Sequence, residues 1–207
     1  MKKGIFIVLE GPDRSGKSTQ ANLLREWLEG REIETVLTRE PGGSAISEKI
    51  RQILLDPETR PVPLAELFLF EASRCQHAAE TIIPALEAGK AVISDRFTMS
   101  SEAYQGYGRG IPLDKIDALN RIATFGIKPD ITFVFNVSEQ DFEKRIREQE
   151  KTNPDRFERE KLDFRRKIRQ AFSVFAKRPG VYAIEASKGI DEIQEEIRRE
   201  ILRKFEI

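Results

Sequence analysis

The segment Gly11-Pro12-Asp13-Arg14-Ser15-Gly16-Lys17-Ser18 fills every fixed position of the pattern G-x-x-x-x-G-K-[ST], directly behind the apolar run Ile5-Phe6-Ile7-Val8-Leu9 and ahead of a helical pattern. A strand, a tight loop and a helix must therefore follow one another here. Glycines at both ends let the backbone curl until successive N–H groups converge, and the next helix adds its positive end to the same concavity. The product is an anion cradle. Lys17 contributes a mobile charge on the solvent-facing side of the loop for β- and γ-phosphates, and the Ser18 hydroxyl, next to Thr19, is placed to ligate Mg²⁺. A nucleoside triphosphate is the expected ligand; a glycine-rich turn with an incidental lysine is the alternative that the strand-loop-helix setting disfavours.

Apolar runs of strand length recur at Ile5–Leu9, Thr35–Thr38, Ala91–Ser94, Ile131–Val137 and Val181–Ile184, separated by helix-like segments. That alternation predicts an α/β fold, a five-stranded parallel sheet with helices on both faces. A length of 207 residues suits one domain over 1–207. Lys+Arg and Asp+Glu balance at 35 each, so neither nucleic acid nor an anionic membrane is the expected partner by bulk charge. A single cysteine, Cys75, rules out an internal disulfide, and no run reaches the roughly 18 apolar residues of a membrane span. With no signal-like apolar stretch at the N-terminus, the cytoplasm is the expected compartment.

The first helix is predicted to run to about Glu29 and stop at Gly30, burying Leu23, Leu24, Trp27 and Leu28. Pro63 opens a long helical stretch ending near Gly89, with Pro84 expected to kink or interrupt it. The stretch from Glu143 to Arg156 is dense in charge and contains an Asn153-Pro154 turn. It has too little apolar content to pack deeply, and reads either as a solvated helical hairpin or as a mobile lid, about 143–158, carrying arginines over the phosphate loop.

A second chemistry-bearing element is Ala91-Val92-Ile93-Ser94-Asp95-Arg96-Phe97, an apolar strand that delivers an acid and a base at its carboxyl end. Ligands of open α/β sheets bind at that edge. Asp95 could hold Mg²⁺ through water, and Arg96 could clamp a phosphoryl group with its planar fork; a structural ion pair is the plainer alternative. Taken together, Glu10-Gly11, Asp13 to Thr19, Thr38-Arg39-Glu40-Pro41-Gly42-Gly43-Ser44, Asp95-Arg96-Phe97 and Ala103-Tyr104-Gln105-Gly106, in this order, resemble the thymidylate kinase family. The likeness runs from near the N-terminus to Glu185-Ala186-Ser187.

The resemblance implies MgATP-dependent conversion of dTMP to dTDP by a P-loop kinase fold, usually a homodimer. By the same resemblance, residues 11–19, Arg147 and Ala186 serve ATP, while Lys17, Arg14, Asp95 and Arg96 are catalytic, with Ser18 and Asp95 at the metal. Phe70 and Arg74 match the pair that stacks on thymine and bonds its edge; lying four apart, they would share one helix face. Asp13, Arg39, Arg51, Arg96, Ser100, Tyr104, Gln105 and Glu158 complete the implied dTMP set, Tyr104 crowding the sugar 2′ position. Cys75 and His77 read as structural residues with no metal partner.

The attacking atom would be a dTMP phosphate oxygen, largely dianionic at neutral pH because the second pKa of a phosphate monoester is about 6. No strong general base is needed; bringing two anions together and absorbing equatorial charge is the task. Which cation meets the γ-phosphate stays open among Arg14 and the lid residues Arg145, Arg147, Lys151 and Arg156. A deoxynucleoside kinase is the nearest rival. A GTP switch lacks its guanine-reading Asn-Lys-x-Asp, since Asn136-Val137 runs into Ser138-Glu139, and a nucleic-acid ATPase is disfavoured by the balanced charge.

Overall fold

The computed structural model describes residues 4–149 and 155–205, without the side chains of 145–149. Five strands, β1 (Ile5–Glu10), β2 (Thr35–Arg39), β3 (Ala91–Asp95), β4 (Ile131–Asn136) and β5 (Val181–Glu185), form one parallel sheet in the order β2-β3-β1-β4-β5. Helices cover both faces, which is why the central strands are continuous apolar runs instead of alternating ones. Register pairs Leu9 and Arg39 with Asp95, so the carboxyl ends of β1, β2 and β3 finish level. The order reverses at β1, and the crevice beyond its carboxyl end is where such sheets bind ligands.

Helix α1 (Lys17–Glu29) starts on Gly16 in the left-handed region and ends at Gly30. Its buried stripe is Gln20, Ala21, Leu24 and Leu28, which meets β1, β3 and the C-terminal helix α9 (Ile190–Phe205) through Ile193, Ile197 and Ile201. Leu24→Ala would remove a fully buried side chain from this layer and cost about 2–5 kcal/mol. Leu23 and Trp27 are only half-buried, one step round the helix from the expected inner face. The Trp27 ring faces the Arg31 guanidinium at 4.2 Å and that of Arg198 at 5.6 Å, an amphipathic seat at the rim of the core.

Helix α2 (Ala45–Leu55) is capped by the Ser44 hydroxyl. Helix α3 (Pro63–His77) continues through a π turn (Ala78–Ile82) into α4 (Ile83–Glu87), so Pro84 neither ends nor sharply breaks the stretch. The Ile83 N–H reaches back to Ala78 O, and this wider turn gives room to a proline ring that would press on the carbonyl of an ordinary turn. Likewise α5 (Thr98–Ser101) runs into a π turn (Glu102–Gly108) that carries Tyr104 and Gln105. Helices α6 (Leu113–Ala123), α7 (Glu139–Gln149) and α8 (Leu162–Phe175) follow. The inner face of α8, with Phe164, Ile168, Phe172 and Phe175, packs Tyr104 and Phe157 from outside.

Candidate active site

Gly11 and Gly16 bound the loop with φ of 151° and 96°. A Cβ on Gly11 would meet Phe135 Cβ at 2.9 Å, so only glycine fits this turn. Lys17 does not face solvent as expected. It is 5% exposed, and its Nζ donates to Pro12 O at 2.8 Å and to Ser15 Oγ at 3.2 Å inside the curl. Burial, aided by the Arg96 charge, pushes the ammonium down to about 8 against the pull of Asp95, Asp13 and Glu10. A concentrated cation thus sits among converging loop groups, where water screens it little.

Ser18 Oγ donates to Asp95 Oδ2 at 2.5 Å, joining the first turn of α1 to the end of β3. A hydroxyl and a carboxylate are hard oxygen donors that suit Mg²⁺, which usually takes one or two carboxylates and completes its shell with water and phosphates. Among the described residues no group of three or more His, Cys, Asp or Glu forms an all-protein cage, as such a shared ion does not require.

Beside this pair opens a cavity of about 240 Å³. Arg96, held at φ 78°, crosses its floor. Its Nη1 donates to Gly11 O at 2.9 Å and Ser100 Oγ at 3.1 Å, and its Nη2 to Asp13 Oδ1 at 2.5 Å and Tyr104 OH at 3.2 Å. The Tyr104 hydroxyl in turn donates to Asp13 Oδ2 at 2.8 Å. Burial opposes the Arg96 charge, but the Tyr104 oxygen and the carboxylates of Asp13, Asp95 and Glu10 hold it more firmly protonated than usual. Burial likewise pushes Asp13 up, yet Arg96 and Lys17 outweigh it and keep the carboxyl below its ordinary range.

Glu10 escaped the sequence reading as a site residue. It lies fully buried at the end of β1, where Oε1 accepts from Phe97 N at 2.8 Å and Ser100 N at 3.1 Å, and Oε2 from Ser100 Oγ at 2.7 Å. Burial raises it to about 7 against Arg96 and these donors. The carboxylate moulds the turn that presents Arg96 and Ser100.

Phe70 and Arg74 both line the cavity, and they share one face of α3 as their spacing implied. The Phe70 ring is half-buried, 5.7 Å from Phe157. Arg74 is 1% exposed: Nε donates to Glu40 Oε2 at 2.8 Å, Nη1 to Glu71, Ser101 and Asn120 at 2.6, 2.9 and 2.7 Å, and Nη2 to Phe97 O at 3.1 Å. Gln105 donates to the buried Glu66 at 2.9 Å and also borders the cavity. Arg39 and Arg51 stand at its rim; Arg39 bonds both Glu48 oxygens at 3.1 Å, and Arg51 donates to Pro41 O at 2.7 Å.

The segment after the charged stretch packs more deeply than its composition suggested. Phe157 is buried against Tyr104 and closes one wall with Asp155, two residues the sequence reading did not place in the site. Arg156, named among candidates for the γ-phosphate, points elsewhere: Nε donates to Leu54 O at 2.7 Å and Nη1 to Glu66 Oε2 at 2.6 Å. A buried partner carboxylate and an apolar seat on Phe157 explain this, since a charge taken from water must be paired. Glu158 does not line the cavity; it faces Arg14 of the loop, Nε to Oε1 at 3.4 Å. The side chains of Arg145, Arg147 and Lys151 lie outside the described residues. On the opposite side of the loop, a cleft of about 520 Å³ is bordered by Gly16, Thr19, Ala186 and Lys188.

The family model for thymidylate kinase matches residues 9–197. The thymidylate kinase of Pelobacter propionicus is 42% identical over 97% of this chain and 94% of its own length. That of Halothermothrix orenii is 43% identical over 98% and 96%. A crystal structure of thymidylate kinase from Ehrlichia chaffeensis superimposes with a TM-score of 0.78 at 33% identity, covering 96% of this chain and 99% of that one. Phosphate loop, acid-base strand and cavity meet at one sheet edge in a chain that matches along nearly its whole length, and the protein belongs to the thymidylate kinase family.

Proposed function

We propose that ATP lies in the cleft beside Thr19 and Ala186, that dTMP fills the 240 Å³ cavity, and that the phosphoryl group crosses between them at the edge formed by Lys17, Ser18, Asp95 and Arg96. The reaction is that of the family, ATP-dependent phosphorylation of dTMP to dTDP. The single observation that carries the assignment of sides is Arg96. One guanidinium binds the Gly11 carbonyl of the donor loop and the Asp13, Ser100 and Tyr104 oxygens of the cavity, which supports a role between the two proposed phosphates.

The acceptor phosphate supplies its own nucleophile, being mostly dianionic near pH 7 because its second pKa is about 6. The chain's part is to align two anions and absorb charge on the moving group, through Lys17, Arg14 and Arg96. When bound with ATP, Mg²⁺ supplies neutralisation of β- and γ-phosphate charge, and Ser18 with Asp95 would hold it. Phe70 stacks on the base, Arg74 bonds its edge, and the Tyr104 ring crowds the 2′ position. Residues 143–158, of which 150–154 lie outside the described residues, are assigned a lid's part within one catalytic unit, excluding water that would compete as acceptor.

The working form is proposed to be a cytoplasmic homodimer. No helix among the described residues is long and apolar enough to cross a membrane. Exposed Leu64 and Phe68 on α3, with Ile122 and Phe125 at the end of α6, offer an apolar face for a second copy. Sedimentation as a monomer at micromolar concentration would remove that proposal.

Acceptor profiling tests the functional reading. ADP release is expected to be fastest with dTMP and slower with dUMP by about 10–200-fold in kcat/KM, the discrimination available from one methyl. Thymidine, which lacks the phosphate that Arg96 awaits, is expected to give none. A preference for dCMP or AMP would overturn the base site, and turnover of thymidine would favour a deoxynucleoside kinase.

A further inference from the structure

The chain's one histidine, His77, sits behind the acceptor cavity without lining it, and the reaction as described makes no use of it. It is 0% exposed at the last position of α3. Its Nδ1 meets Glu40 Oε1 at 3.1 Å and its Nε2 meets Thr38 Oγ1 at 2.7 Å. The other oxygen of Glu40 accepts from Arg74 Nε at 2.8 Å. A continuous chain of contacts therefore runs from Thr38 through His77 and Glu40 to the Arg74 guanidinium at the cavity.

We propose that His77, acting through Glu40, is a positioning residue for Arg74 and thereby sets which base the acceptor pocket takes. This rests on the reading of Arg74 as the base-edge donor. Burial pushes Glu40 up, but Arg74 and His77 hold it below the usual carboxylate range, so it is an acceptor only and Nδ1 must carry a proton. Thr38 then fixes the ring from its far edge. With its carboxylate gripped from both sides, Glu40 has one orientation, and it presents one orientation of Arg74. The Nη1 contacts to Glu71, Ser101 and Asn120 lock the opposite edge, and Phe97 O takes one Nη2 proton. The second Nη2 proton is not taken by these contacts, and Arg74 lines the cavity. A donor so fixed favours a base that offers a carbonyl oxygen and disfavours one that offers an amino group, which separates thymine from cytosine.

The loop is also shaped around the ring. A Cβ on Gly43 would lie 2.4 Å from two His77 atoms and 2.5 Å from Thr38 Oγ1. The turn that bears Arg39 and Pro41 at the cavity rim thus depends on the imidazole for its course.

The test compares two variants of similar polarity. An Asn amide nitrogen can take the place of Nδ1 and keep the bond to Glu40, whereas a Gln amide reaches the place of Nε2. His77→Asn is expected to keep the wild-type ratio of kcat/KM for dTMP over dCMP within about threefold. His77→Gln should lower it about tenfold, chiefly by raising the KM for dTMP, with kcat at saturation changed less than about threefold. A role limited to filling space would rank the variants by melting temperature and leave the ratio alone; equal ratios in both variants would overturn the proposal. Wild-type protein with no preference for dTMP over dCMP would instead refute Arg74 as base reader, leaving the two failures distinct. Should a variant not fold, ¹⁵N NMR of the lone imidazole carries the test: a proton on Nδ1, with a shift that responds to dTMP, is expected, and a bare Nδ1 would overturn it.

Discussion

The donor loop and the acceptor cavity are built on opposite plans. The loop draws nearly all its parts from Gly11 to Thr19, and its key cation bonds to its own neighbours, Pro12 and Ser15. The cavity draws on β2, β3, α2, α3, the π turn and the segment at Asp155–Phe157, and its two most buried arginines reach carboxylates far along the chain, Arg74 to Glu40 over 34 positions and Arg96 to Asp13 over 83. A site made of contiguous backbone can tolerate change elsewhere in the chain, because its shape is set by local dihedral angles. A site made of distant pairs owes its precision to buried networks, where removing one partner leaves another uncompensated. Donor-loop variants should therefore damage turnover with little loss of fold, and cavity variants should shift acceptor affinity, selectivity and stability together.

The sharpest way to break this contrast is Lys17→Ala. A buried charge aimed at phosphate oxygens is expected to be worth about 10²–10³-fold or more in kcat, while the fold persists. Near-normal turnover in a steady-state assay would remove the loop as donor site.

Tyr104 separates ring from hydroxyl on the cavity side. Its ring packs edge-on against Phe157 and Phe164, while its hydroxyl joins Asp13 to Arg96. Tyr104→Ala is expected to narrow the kcat/KM ratio of dTMP over ribothymidine monophosphate by about tenfold, since exclusion of a hydroxyl by shape alone is worth only about 10². Tyr104→Phe should keep that ratio and slow both substrates. An unchanged ratio in folded Tyr104→Ala would take the ring out of the sugar site.

A smaller effect concerns stability, where the two plans converge on pH. Lys17 titrates near 8 in the folded protein against about 10.4 in an unfolded chain, so between these values the unfolded state holds more protons and stability rises with pH. Below pH 8 its buried charge costs on the order of 3 kcal/mol. Glu10 is raised from 4.5 to about 7, so from pH 4.5 to 7 the folded state holds more protons and stability falls as pH rises. Together the two groups place a minimum in the ligand-free protein between about pH 7 and 8. Lys17→Met is expected to raise the melting temperature by several degrees at pH 7, the gain shrinking toward pH 10. A melting temperature that drops at pH 7 would show that the Pro12 and Ser15 bonds outweigh desolvation.

The same contrast explains what could be read from the chain. The phosphate loop, the five strands and the Asp95-Arg96 edge are contiguous patterns, and each stands where its residues indicated. Phe70 and Arg74 were within reach through the family resemblance, with helical spacing, a local rule, putting them on one face. Glu10, His77 and Phe157 were not, because a buried Glu, a lone His and one Phe in a charged stretch acquire roles only from partners distant in sequence. Arg156 shows the converse: its place in a basic segment suggested phosphate, and a carboxylate at Glu66, 90 positions away, decides otherwise. The π turns at Ala78–Ile82 and Glu102–Gly108 leave no sequence signal beyond Pro84, two residues after the first.

The most direct test sets the loop's Arg14 against Arg156, which a distant buried carboxylate holds, measured as single-turnover phosphoryl transfer at saturating ATP and dTMP. Arg14 is carried by the loop at φ 58° and Arg156 is bonded to Glu66, so the proposed function assigns the transferring group to the first. Arg14→Gly is expected to slow transfer by about 10³-fold or more, the scale of an arginine clamp, and Arg156→Ala by less than about tenfold with a lowered melting temperature. The opposite ranking, with Arg156→Ala the slower enzyme at unchanged stability, would move the clamp to the lid and contradict the division between a locally built donor site and a network-built acceptor site.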